Sequence, residues 1–185
     1  MPKFKSLLSY YAWPDLEIER QILGAADVEL VVAEKADPES LPGLARDCDA
    51  IMTNWAKVPE PVIAAAPNCR IICRLGIGLD NIDVSYATSA GIVVTNVPSY
   101  CLEEVSDHAL GLILACSRKI AFYNWSAKSG AYDLKAGTPL YRLRGKSLGI
   151  FGFGKIGRLV AQKASAFGMR ILACTRPSML SEKDK

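Results

Sequence analysis

"LGIFGFGKIGRLV", residues 148–160, decides how this chain is read. A short apolar run leads into Gly152, Gly154 and Gly157, spaced G-x-G-x-x-G, and an amphipathic run follows. Strand, glycine turn, helix is the layout of a dinucleotide phosphate-binding turn. The first glycine permits the tight turn, the second lets the backbone approach a pyrophosphate, and the third lets helix and strand pack closely. The helix N-terminus adds unbonded N–H groups and partial positive charge. Gly152, Phe153, Gly154, Lys155, Ile156 and Gly157 are therefore candidate cofactor-binding residues. Glycine spacing alone is also met by βα turns that bind nothing. Here "KSLGIFGFG" reads as a strand, "KIGRLVAQKASAFG" as a helix closed by Gly168, and "MRILACT" as a second strand, which is the context the motif requires.

The end of that second strand carries the next expectation. A carboxylate about 20 residues past the glycines would bind a ribose 2′-hydroxyl and repel a 2′-phosphate. Thr175 stands there instead, followed by Arg176. A hydroxyl beside a guanidinium favours the phosphate, so the expected cofactor is NAD or NADP, with NADP(H) accepted.

Upstream, apolar runs alternate with helical patterns. Strands are expected in "KSLLSYYA", "VELVVAE", "AIMTNW", "RIICRLG" and "IVVTN". Helices are expected in "PDLEIERQIL", "PESLPGLARDC", "PEPVIAAAP" and "NIDVSYATSAG", the last closed by Gly91. The strands are rich in Val, Ile and Leu without strict alternation, the mark of a parallel sheet covered by helices on both faces. "NVPSY" breaks the pattern; beyond it a long helix is expected over about 101–122, with Val105, Ala109, Leu112 and Cys116 on its apolar stripe and Leu110, Ile113 and Leu114 widening it, then a polar arm to about 142. Two domains follow, 1–100 and 101–185. The fold class is α/β throughout.

Composition removes other classes. Half of the 185 residues are apolar or aromatic and the net charge is +3, with no dense basic run, so no nucleic-acid partner is expected. The N-terminus lacks a signal-peptide pattern, and "ALGLILAC" (109–116) is too short to span a bilayer, so no membrane partner is expected and the location reads as cytoplasmic. The six cysteines read as reduced thiols without a zinc-site partner set, so no metal is expected. The single histidine, His108, sits four residues after Glu104 on one helix face. It reads as a partly buried helix residue; no catalytic residue is assigned.

"RLGIGLDNID" (74–83), "GIVVTNVPSYCLEEVSDHALGLIL" (91–114) and "LRGKSLGIFGFGKIGRLVAQKASAFGMRILA" (143–173), in this order, resemble the D-isomer-specific 2-hydroxyacid dehydrogenases. "NVPSYCLEEVSDHAL" is closest in flavour to the branch that includes the C-terminal-binding protein corepressors. The resemblance implies a flavodoxin-like substrate domain followed by the first βαβ part of a Rossmann dinucleotide-binding domain. It implies hydride exchange between a nicotinamide and a 2-oxo or 2-hydroxy acid, and a homodimer through the helix and arm at 101–142. The amides of Ile77 and Gly78 would hold the substrate carboxylate, and Ile77 would face the nicotinamide. Spacing by itself leaves "LGIGLDN" open to a plain glycine turn, with Asp80 organising it and Asp83 starting the next helix.

The family's catalytic Arg, His and Glu have no matching positions here. The expectation is therefore a chain cut short, inactive alone. A dinucleotide-sensing regulator of the corepressor type is the alternative. A short-chain reductase or methyltransferase fits less well, because those place the glycine turn at their first strand.

Overall fold

A computed structural model describes residues 2–35, 37 and 39–176. The chain divides into two compact units, Met1–Tyr100 and Cys101–Lys185.

In the first unit the order is β1 (Phe4–Leu8), α1 (Glu17–Ala25), β2 (Val28–Val32), α2 (Leu41–Ala45), β3 (Ala50–Thr53), α3 (Glu60–Ala64), β4 (Ile71–Arg74), α4 (Val84–Ser89) and β5 (Val93–Thr95). The strands form one parallel sheet in the order β2-β1-β3-β4-β5. This is the flavodoxin-like order. Its register aligns Leu7, Ile51, Ile72 and Val94 in one row across four strands. Leu7, Ile51 and Ile72 are fully buried, and Leu41, Ala45, Val62 and Ile63 of α2 and α3 close over the same core. Prolines pre-set the first turns of α2 and α3. Asp83 caps α4, its carboxylate accepting the Tyr86 amide at 2.9 Å, and Gly91 takes the left-handed conformation just beyond that helix (φ 72°).

Several elements are shorter than their sequence patterns. The first strand ends at Leu8, not at residue 12, because its ladder runs out: Ala33 donates to Leu8 and Ser9 to Met52, and no partner strand continues. The first helix starts at Glu17 rather than at Pro14, and α2 keeps five residues of the eleven expected.

The second unit comprises α5 (Leu102–Ser117), α6 (Ile120–Lys128), β6 (Ser147–Phe151), α7 (Lys155–Ser165) and β7 (Arg170–Cys174), with β6 and β7 paired in parallel. The single helix expected over 101–122 is two helices. Lys119 sits between them in the left-handed region (φ 53°), so the first residues of the expected arm are helical. Only part of the expected apolar stripe is buried. Val105 and Leu112 are exposed, whereas Leu110, with Ala109 and Ile113 beside it, packs on Val160 and Ala164 of α7. A polar clasp fixes the two helices: Lys163 donates to Glu103 (2.8 Å), to the buried Ser106 hydroxyl (2.7 Å) and to Asp107. The Asp107 and Glu103 carboxylates push the Lys163 pKa up, outweighing its partial desolvation. The β6–β7 pair buries one face, with Leu148, Ile150 and Ile171 toward α7, and exposes Phe151 and Leu172 on the other.

Burial separates the thiols. Cys48 and Cys69 are buried, while Cys116 and Cys174 are exposed. Desolvation pushes both buried thiols up in pKa, because the thiolate is the disfavoured form. The unfolded chain therefore releases these protons first. Their contribution to stability is complete below the unfolded pKa, about 8.5, and is lost as pH rises through the folded values. Native-state alkylation is expected to modify Cys116 and Cys174 first and to reach Cys48 and Cys69 only on unfolding. Peptide mapping after timed alkylation checks the order. Early labelling of Cys48 would contradict it.

Candidate functional site

The glycine turn is tightly folded between β6 and α7. Gly152 lies in the left-handed region (φ 96°), and its amide donates to the Cys174 carbonyl at 2.8 Å, pinning the turn to the end of β7. Gly157 packs directly over it: a β-carbon there would run into the Gly152 carbonyl oxygen, with the Gly152 carbonyl carbon at 3.3 Å and Ile150 Cγ2 at 3.4 Å. Gly154, by contrast, has open space where its side chain would be. It stands at the start of α7 with extended backbone, and no side chain of the described residues caps the helix. Arg158 makes the first intrahelical bond, to the Gly154 carbonyl at 3.0 Å, so the first-turn amides, Ile156 and Gly157 among them, have no acceptor within the helix. The Phe153 ring is held against the Arg158 guanidinium, 4.8 Å from its centroid.

A cavity of about 550 Å³ opens beside this turn, lined by Phe151 to Gly154 and by Cys174, Thr175 and Arg176. Both candidates for a 2′-substituent thus share a cavity with the glycines. Lys155 and Ile156 are the first two residues of α7.

The "LGIGLDN" loop lies in the other unit, past the end of β4. The Leu75 amide donates to Thr53, the Val97 amide donates to the Gly76 carbonyl at 2.9 Å, and the Asn96 side chain donates to the Ile77 carbonyl at 2.7 Å. These bonds hold the carbonyls of the loop inward. The missing side chains at Gly76 and Gly78 leave room for two neighbours, Arg74 Nη1 at 2.6 Å and Asp80 Oδ1 at 2.7 Å from where the β-carbons would be. Ile77 is partly exposed. His108 lies exposed on α5, not partly buried as expected.

Sequence reasoning passed over three residues. Arg74 ends β4 with its Nε and Nη1 buried and without an acceptor among the described residues. A guanidinium in that state is an uncompensated positive charge beside the loop. Asn81 donates to the carbonyls of Asn54 (3.2 Å) and Ala56 (2.8 Å), and Asn54 donates to Leu75 (3.1 Å), which ties the loop after β3 to the loop after β4. Arg74 could have been suspected from its place one residue before a glycine loop. The two asparagines carried no sequence signal, because their partners are more than 20 residues away.

A family model for "D-isomer specific 2-hydroxyacid dehydrogenase, catalytic domain" matches residues 13–179. The chain belongs to this dehydrogenase family. It is 41% identical over 160 residues to the hydroxypyruvate reductase of Thermotoga maritima, covering 86% of this chain and 52% of that protein. A glyoxylate reductase structure from Paecilomyes thermophila superposes with a TM-score of 0.80 at 28% identity, over 97% of this chain and 58% of the other. An NAD+-bound 3-phosphoglycerate dehydrogenase from Entamoeba histolytica superposes with a TM-score of 0.76 at 26% identity, over 97% and 56%. The chain thus spans little more than half the length of each of these three dehydrogenases.

Proposed function

We propose that this dehydrogenase chain supplies two of the binding elements of an NAD(P)-dependent enzyme acting on a 2-oxo or D-2-hydroxy acid. The observation that carries the reading is the glycine turn: Gly152 pinned to β7, Gly157 packed on Gly152, and the uncapped start of α7 opening into a cavity. Oxygens of a pyrophosphate fit that arrangement, accepting from the turn and first-turn amides between Gly152 and Gly157. Thr175 and Arg176 are then positioned for the ribose and its 2′-substituent. When bound, the nicotinamide supplies the hydride for the carbonyl carbon. On the substrate side, the amides of Ile77 and Gly78 donate to the carboxylate, and the unpartnered Arg74 guanidinium beside Gly76 supplies its countercharge. Proton transfer to the carbonyl oxygen is assigned to no residue of this chain.

Dinucleotide titration of the chain by calorimetry tests the reading. NADPH is expected to bind at least as tightly as NADH. Arg176→Ala, at an exposed position, is expected to weaken NADPH about tenfold and leave NADH unchanged, as for loss of one charge-assisted contact. A tenfold preference of the unaltered chain for NADH would overturn the NADP assignment. No binding of either form would overturn the dinucleotide reading itself.

A further inference from the structure

Charge is divided unevenly along the chain. Residues 101–185 carry fourteen Lys and Arg against six Asp and Glu, whereas residues 1–100 carry eight against thirteen. Four of the cations in the second unit gather at the amino end of the β6–β7 pair. Arg170 starts β7, and its Nε and Nη2 both donate to the hydroxyl of Ser147, the first residue of β6, at 3.0 and 2.7 Å. The Arg170 amide donates to the Lys146 carbonyl, and the Gly145 amide to the Gly168 carbonyl, each at 2.8 Å. The stem of Arg144 lies over Gly168, its Cγ 3.1 Å from where a β-carbon would be. The Lys146 ammonium stands 5.0 Å from the Tyr141 ring centroid, and Arg118 Nη1 donates to the Tyr141 carbonyl at 3.4 Å.

Arg118, Arg144, Lys146 and Arg170 are all exposed, and among the described residues no carboxylate pairs with any of them. Arg170 spends its fork on a neutral hydroxyl, where a guanidinium gains more from an anion. Two exposed rings border the cations: Tyr141, and Phe167 beside Gly168. The glycine turn leaves this end unused. The two strands run parallel, so Gly152 and Cys174 stand at the opposite end, about 15 Å away for strands rising about 3.3 Å per residue. Exposed cations set side by side suit a chain of phosphates. Interleaved rings suit unpaired bases, whose faces stack on aromatic side chains. The sequence shows no dense basic run because these residues are scattered: Arg118 and Arg170 are more than 50 residues apart, and the fold gathers them.

We infer that the amino end of the β6–β7 pair is a docking surface for single-stranded nucleic acid. The four cations hold successive backbone phosphates, and Tyr141 and Phe167 stack on bases. The surface is independent of the dinucleotide turn.

A fluorescein-labelled oligouridylate of 12 nucleotides, titrated with the chain and read by anisotropy, tests it. A Kd of about 1–10 μM is expected in about 50 mM salt. Four phosphate contacts give a slope of about −3 in log K against log salt, so binding should weaken about 50-fold at about 200 mM. Arg144→Gln, Lys146→Gln and Arg170→Gln together should weaken binding at least about tenfold and bring the slope to about −1. Tyr141→Ala should weaken it about fivefold and keep the slope, because stacking releases no counterion. Lys3→Gln, Lys57→Gln and Lys128→Gln together, an equal loss of charge elsewhere, should change nothing, and saturating NADPH should not compete. The slope of the unaltered chain is decisive even if the first triple variant does not fold. Absent binding, a slope shallower than about −1, an equal loss in the second triple variant, or displacement by NADPH would each overturn the inference. Tighter binding to phosphatidylserine vesicles than to the oligonucleotide would also overturn it, in favour of a lipid surface.

Discussion

Gly157→Ala is expected to weaken dinucleotide binding about 100-fold or more, the scale of a misplacement of about 1 Å at a binding group. It is also expected to destabilise the Cys101–Lys185 unit by about 1–3 kcal/mol. The obstacle is backbone: the added methyl meets the Gly152 carbonyl, with a further contact to Ile150 Cγ2 at 3.4 Å. No flexible side chain can swing aside, so α7 must move off the turn, and its N-terminus leaves the place where a phosphate would sit. Gly154→Ala separates packing from ligand approach. Its methyl would enter open space at a φ of −82°, which alanine adopts freely, so the unit should melt as before. Dinucleotide binding should still fall, because in the proposed binding mode the pyrophosphate comes closest at that space. Calorimetric titration and thermal melts on both variants give the answer. A Gly157→Ala chain that binds normally would dismiss the close helix-to-turn packing as a requirement.

Ile51→Ala is expected to have the largest effect on stability, about 2–5 kcal/mol. Ile51 is fully buried on β3 and is aligned with Leu7 on one side and Ile72 on the other. Deleting its outer methyl groups removes transfer energy and leaves a cavity between strands that are held in register and cannot collapse onto it. For a unit of this size the melting temperature should drop by about 4–8 °C per kcal/mol. Val93→Ala on β5, where Val93 is 57% exposed, should cost less than about 0.5 kcal/mol. Melts followed by circular dichroism, with the Val93 variant as reference, would reject the assignment if the two variants proved equal.

Local patterns were readable where a residue type has one physical use. Gly152, Gly91 and Gly168 all lie in the left-handed region, which glycine enters without steric cost, and Asp83 caps α4 through its own carboxylate. Other features had no such mark. The break after α5 falls at Lys119, with neither glycine nor proline to announce it, so one helix was expected where two stand. On α5 several apolar residues compete for the core, and periodicity cannot rank them. The contact with Val160 and Ala164 chose Leu110 over Val105 and Leu112.

By itself the sequence determined the α/β class, the alternation of strands and helices, and the glycine turn, because each depends on neighbours a few residues apart. Tertiary structure decided the strand order β2-β1-β3-β4-β5, the face of α5 that is buried, and the gathering of Arg118, Arg144, Lys146 and Arg170 at one end of the β6–β7 pair. Those depend on which strand lies beside which. Pairing β1 with β3 brings together segments more than 40 residues apart, and no local preference encodes that distance.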